Sequence, residues 1–190
     1  MRLLAALVFD FMTSPLRILV AKRNSATADQ LAEMGRRMFH DTYAAHNRPE
    51  DMAAYEAATF GPEKQLAELQ DPKTVFLLAQ MVQEVVGYAK LKLHSTLGLD
   101  PGKTPEDRLE IERLYVDEEW IGTGLGATLM RRAIEEARQQ GSRAIVLGVW
   151  EKNTRALEFY QRFGFKRIGV HQFMVGTDEQ NDFILRKGLH

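Results

Sequence analysis

Apolar residues recur along the chain with two different periods. In one, they fall three, four or seven apart: Leu31, Met34 and Met38; Leu125, Leu129, Ala133, Ile134 and Ala137; Ala156, Phe159, Tyr160 and Phe163. That spacing puts each set on one face of a helix. The first set predicts a helix over residues 25–43, with Ser25 and Thr27 as N-cap candidates. Pro49 opens a second helix, and Gly61-Pro62 a third reaching residue 69. The other two sets predict a helix starting at Gly124 or Leu125 and closed by Gly141, and one over residues 153–163 ended by Gly164.

The second period is that of strands. Short runs rich in β-branched residues predict strands over residues 16–21, 74–79, 85–93, 109–116, 144–149, 166–175 and 183–186. The turns between them are expected at residues 80–84 and 176–181, with a Gly/Pro/Asp-containing loop over residues 97–108. Strands interleaved with helices, without an internal repeat, make one mixed α/β (α+β) domain, here taken as residues 15–190. Residues 1–14 are expected to be a poorly ordered extension, with Met12 as an alternative start. Their apolar run is broken by Asp10, lacks a small-residue cleavage site and is too short to span a bilayer.

Composition narrows the field further. At 190 residues, 45% hydrophobic and 27% charged, the chain suits one globular domain with a sizeable core. A net charge of -1 gives no general attraction to nucleic acid or anionic lipid. The absence of cysteine removes disulfides, thiolate nucleophiles and Cys-based zinc sites. We therefore expect a cytoplasmic protein without nucleic-acid or membrane partners and without a metal. A second copy of the chain is an open alternative as a partner.

Candidate chemistry begins with the segment from Val116 to Ala127, between a strand and a helix. Its glycines Gly122, Gly124 and Gly126 stand at alternate positions, so backbone N–H groups can converge on an anion. The helix that follows adds its unpaired first-turn donors and the positive end of its dipole. A pyrophosphate suits such a cradle. The spacing differs from the dinucleotide fingerprint Gly-x-Gly-x-x-Gly, and the Gly-Lys-Ser/Thr of a Walker loop is missing. A glycine turn that binds nothing is the plain alternative.

The segment resembles the acetyl-CoA motif of the GNAT superfamily of N-acetyltransferases, Gln/Arg-x-x-Gly-x-Gly/Ala. Gly124 and Gly126 match its small positions, whereas Ile121 stands where Gln or Arg is usual. A second segment, Asn153-Thr154-Arg155-Ala156-Leu157-Glu158-Phe159-Tyr160 closing in Gly164-Phe165, is similar to that family's Asn-x-x-Ala-x-x-Phe-Tyr-x-x-x-Gly-Phe. The resemblance implies a central splayed mixed sheet of about six to seven strands flanked by helices, with acetyl-CoA as co-substrate wedged where two parallel strands part. It implies that Leu114, Tyr115 and Val116 pair with the pantetheine arm. The amides of Ile121, Gly122, Thr123, Gly124, Leu125, Gly126 and Ala127 would hold the pyrophosphate. Asn153 would hydrogen-bond the arm, with helix capping as its bland role.

Transfer to an amine needs a neutral nucleophile, a stabilised carbonyl oxygen and a protonated thiolate. Tyr160 resembles the family's general acid, although its place on an apolar stripe also suits plain packing. Glu110 and Glu112, two apart on one strand, are the candidate bases, Glu112 preferred and His171 the runner-up. The tail segments Gly169-Val170-His171-Gln172-Phe173-Met174-Val175-Gly176 and Asp178-Glu179-Gln180 look like those of bacterial Pai-type spermine/spermidine acetyltransferases. They imply a polyamine or another small amine, with Asp41, Tyr43, Asp51 and Tyr55 at the acceptor mouth. A protein N-terminal or lysine acetyltransferase and a non-catalytic acetyl-CoA sensor are the alternatives.

Overall fold

In the computed structural model, residues 16–100, 105 and 107–189 are described. The extension expected over residues 1–14 and part of the loop expected over residues 97–108 lie outside them. Seven strands form one mixed sheet: β1 (Arg17–Val20), β2 (Thr74–Met81), β3 (Glu84–Leu93), β4 (Arg108–Val116), β5 (Ala144–Trp150), β6 (Lys166–Val175) and β7 (Asp178–Gly188). Five α-helices flank it: α1 (Ser25–Tyr43), α2 (Pro49–Thr59), α3 (Pro62–Gln70), α4 (Leu125–Gln139) and α5 (Thr154–Arg162). The strand order is β1-β2-β3-β4-β5-β7-β6. Every neighbouring pair is antiparallel except β4 and β5. A parallel pair needs a long crossover, and α4 provides it.

Local chemistry explains the element ends and corrects several expected boundaries. The N-cap of α1 is Asn24, whose side chain accepts from the Thr27 N–H at 2.9 Å; Ser25 and Thr27 already lie inside the helix. The turn between β2 and β3 is only Val82-Gln83, with Val82 at φ 55, a conformation usually left to Asn or Gly. The turn between β6 and β7 is Gly176-Thr177, not the six residues expected, so Asp178 to Asn181 join β7. That difference sets the whole register of the last hairpin.

The sheet has two differently dressed faces. On one, Leu109, Ile111, Ile145, Leu147 and Val149 pack with α4 through Leu125, Leu129, Met130 and Ala133, and with α5 through Tyr160. The apolar stripe on α4 is fully inside, and each such Leu contributes roughly 1.5–3 kcal/mol of transfer free energy. On the other face, Leu31, Met34 and Met38 of α1 cover Phe76 and Tyr88, while Phe39, Met52 and Phe60 gather around Val175.

Candidate active site

The sheet forks at its centre. β4 and β5 pair only at Arg108–Ala144, Leu109–Ile145 and Glu110–Val146. Beyond Glu110, β5 stays paired to β7 as far as Trp150, and β4 stays paired to β3 as far as Val116. Among the described residues, the edge of β4 that faces β5 therefore has no strand partner from Ile111 to Val116. Leu114, Tyr115 and Val116, expected to meet an extended ligand arm, sit on that open edge. Opposite Lys90 and Leu91 of β3 stand Arg113 and Ile111, which makes Glu112 the extra residue of a β-bulge.

The glycine cradle lies where β4 leads into α4. A short 3-10 turn, Glu118–Trp120, follows β4 and is capped by Asp117. Arg37 of α1 grips the Asp117 carboxylate through two nitrogens at 2.6 and 2.9 Å, which ties α1 to the cradle's entry. Gly122 and Gly124 adopt φ 85 and 93, and a Cβ on either would meet nothing within 4 Å. Gly124 is the N-cap of α4 and supplies no side chain to its first turn, so the amides of Gly126 and Ala127 have no acceptor within the helix. Open space above free donors at a helix N-terminus fits a pyrophosphate.

Two expected donors are otherwise engaged. The Ile121 N–H donates to the Glu118 carbonyl at 3.1 Å, and the Thr123 N–H to Trp120 at 3.3 Å. Both amides close turns, leaving Gly122, Gly124, Leu125, Gly126 and Ala127 as the cradle. Arg132 pairs with Glu136 on its own helix at 2.8 Å.

Side chains converge on the fork from both faces. Tyr160 approaches on the α4/α5 side, its ring packed on Phe159 and Phe165 with centroids 5.3 and 5.7 Å away. Burial pushes its phenol well above the ordinary value, and Tyr43 adds to the rise. Tyr43 belongs to α1 on the opposite face, so the two faces meet electrostatically through the gap. Burial also raises the Tyr43 phenol, to about 12, helped by Asp182 and opposed by a hydrogen bond with Asn153. Asn153 caps α5, its side chain accepting from the Ala156 N–H at 3.1 Å.

On the α1 face, parallel and antiparallel register bring six residues together. Glu110 stands beside Val146; Val146, Gly148 and Trp150 alternate along β5; Trp150 faces Asp182, and Asp182 faces His171. Burial raises the Glu110 carboxyl above its usual range, against a hydrogen bond from the Ser95 hydroxyl. Burial acts the same way on Glu112, but Lys90 at 2.6 Å and Lys92 at 3.5 Å outweigh it and hold that carboxyl low. Lys90 is shared with Glu68, which in turn binds Arg113. Asp182 and Trp150 had no assigned role in the sequence. The signal was the hairpin: a two-residue turn sets His171 opposite Asp182, whereas a six-residue turn sets it opposite Arg186.

Two residues expected at the acceptor mouth have other work. Asp51 is buried and accepts from the Thr177 N–H at 2.7 Å, the Thr177 hydroxyl at 2.9 Å and Arg48 Nε at 2.8 Å, which fastens α2 to the β6–β7 turn. Tyr55 stacks on Phe39 with centroids 4.5 Å apart. Asp41 is exposed on α1. Among the described residues no group of three or more His, Asp or Glu is arranged to hold a metal. No helix among them is long and apolar enough to cross a membrane.

A glycine cradle on one face of a forked sheet and titratable groups on the other suit an acyltransferase. The chain belongs to the acetyltransferase (GNAT) family, whose model it matches over residues 35–165. It is 36% identical over 158 residues to an uncharacterized N-acetyltransferase of Lactobacillus delbrueckii subsp. lactis, covering 82% of this chain and 88% of that one. It is 31% identical over 91 residues, 47% of this chain and 58% of the relative, to the spermine/spermidine N(1)-acetyltransferase of Bacillus subtilis. The PaiA N-acetyltransferase from Thermoplasma acidophilum, solved in complex with coenzyme A, shares its fold with a TM-score of 0.73 at 24% identity, over 91% of this chain and 99% of that one.

Proposed function

We propose that the chain moves the acetyl group of acetyl-CoA directly to a primary amine, and that the amine is a polyamine or a similar small amine. One observation carries this reading: cradle and Tyr160 lie on one face of the sheet, Glu110, His171 and Tyr43 on the other, and the fork lets them act on the same atoms. The cradle amides and the open edge of β4 would hold the donor, which supplies an activated acetyl thioester. Tyr160, kept neutral by burial across the working pH range, donates a hydrogen bond and then a proton to the departing sulfur. Asn153 orients α5 and the Tyr43 hydroxyl beside it.

An alkylammonium titrates near 10, so a proton acceptor is needed at pH 7. Of the expected candidates, Glu110 and His171 face the fork without a committed cation. Glu112 is held as an ion by two lysines, which makes it a weak base and suits it to fixing the bulge. The polyamine class is supported by the acidic and aromatic lining of that side, Glu110 with Tyr43 and Trp150, which attracts spaced cations. The named Bacillus subtilis relative points the same way.

The test is thiol release from acetyl-CoA with a panel of polyamines, monoamines and peptides. Spermidine should exceed propylamine in kcat/KM, and the gap should close as salt screens the carboxylates. Peptides used more efficiently than every polyamine would sink the acceptor class; no thiol release with any amine would sink the transferase.

A further inference from the structure

Most buried or half-buried carboxylates described are matched to a cation. Asp51 has Arg48, Glu68 has Lys90 and Arg113, Glu112 has Lys90 and Lys92, Asp117 has Arg37, and Glu136 has Arg132. Asp182 of β7, like Glu110, has no Lys or Arg ion-pair partner among the described residues. Its side chain is 13% exposed, and its only ion-pair contact among the described residues is His171, with Nε2 and Oδ2 3.9 Å apart. A charge in that setting is costly unless something arrives to pair with it.

Its position is as informative as its lack of a cation. A Cβ on Gly148 would lie 2.9 Å from His171 Nε2 and 3.3 Å from Asp182 Oδ2, so both polar ends lie over that glycine. Gly148 is two residues past Val146, the last residue of β5 to pair with β4. The Asp182–His171 pair thus sits at the mouth of the fork, on the face opposite the cradle. The groups that bear on it are Tyr43 of α1, Tyr55 of α2, Glu110 of β4 and Glu151 just after β5, besides His171 of β6 itself. His171 bears on both Glu110 and Asp182.

We propose that Asp182, backed by His171, receives the ammonium of the incoming amine and takes its proton. The proposal rests on the acetyl-transfer reading above. The ammonium gives one proton to the Asp182 carboxylate, which passes it to His171 and through that half-exposed ring to water. The freed nitrogen lone pair forms the bond to the acetyl carbon as the carbon–sulfur bond breaks. Nitrogen loses a second proton on becoming an amide, which balances the one Tyr160 gives to the sulfur. Burial raises the Asp182 carboxyl to about 6, with Glu151 adding and His171 opposing, which suits a group that must both accept and release a proton near neutrality.

Asp182→Asn tests this at saturating acetyl-CoA, with two amines across pH 5 to 9. With spermidine, kcat/KM should fall by ~10²-fold or more and lose its acid limb near pH 6. With trifluoroethylamine, largely neutral at pH 7, the loss should be much smaller. A carboxyl raised on folding stabilises fully below its unfolded value and loses that contribution as pH rises through the folded one. The variant should therefore melt no lower than the parent at pH 8. His171→Gln should lower spermidine kcat/KM less than Asp182→Asn does and move the acid limb upward, since His171 favours ionised Asp182. Spermidine turnover within about twofold of the parent on an unchanged pH profile would overturn the proposal. So would equal losses for both amines together with a lowered melting temperature, which mark a packing role. A parent protein that acetylates no amine overturns the proposal together with the transferase reading, and thiol release by the parent alone reveals that case.

Discussion

At the scale of single residues, the resemblance carried by Asn153 to Phe165 said most about Tyr160. Its place after Asn153 and Ala156 identified it from the sequence, and the structure adds that it packs in the core while sensing Tyr43 across the fork. Tyr160→Phe removes the hydroxyl and keeps the ring. Melting temperature should hardly move, kcat should fall by ~10²-fold, and the KM for acetyl-CoA should change much less. A stopped thiol-release series over pH 6 to 9 checks it: unchanged kcat throughout removes Tyr160 from the chemistry. Asp182 was not legible, because its role depends on a partner on another strand and therefore on the length of a turn. Glu112 was legible as a candidate base, but not as a carboxylate held by Lys90 and Lys92. Those lysines lie on a different strand, and cross-strand register is invisible until pairing is fixed.

At the scale of elements, helices were read well because their apolar stripes are long and regular. Their ends depended on single side chains, as with Asn24. The two hairpin turns were read too long for a physical reason: Val82 takes a positive φ without being Asn or Gly, and Thr177 is stabilised by a remote carboxylate, Asp51. That carboxylate is held below its usual range, chiefly by the Thr177 N–H and with help from Arg48. A depressed carboxyl contributes stability above its unfolded value, about 3.9, and loses it as pH falls through the folded one. Asp51→Asn should therefore lower the melting temperature at pH 7, with the difference from the parent closing at pH 3 and below. A difference that persists undiminished in acid would mean that Asp51 acts by shape rather than charge.

The cradle is the other element whose design can be tested. Gly124→Val adds a Cβ where the structure has no neighbour within 4 Å, so the chain loses only backbone freedom at φ 93. Forcing a β-branched residue there costs of order 1–3 kcal/mol. A ligand bound only to the native state raises melting temperature, so acetyl-CoA should stabilise the parent. The variant should fold but gain nothing from acetyl-CoA in the same thermal scan. An equal gain would place the pyrophosphate elsewhere.

At the scale of the molecule, the fork explains why one domain can handle two substrates. A single parallel pair, β4 and β5, breaks after Glu110 because each strand keeps its outer partner while the bulge at Glu112 turns β4 away. In the proposed reaction donor and acceptor reach one gap from opposite faces, and no residue needs to carry the acetyl group between them. The family resemblance implied this architecture in outline. The two faces became visible only when register placed Glu110, Gly148, His171 and Asp182 on one of them. The most direct measurement is a single turnover with isotopically labelled acetyl-CoA and spermidine, quenched in time and resolved into protein, amine and acetate. Label passing straight to the amine, with none held on the protein at any time, is the predicted result. Label trapped on the protein, or released only as acetate while spermidine stays unmodified, would contradict it.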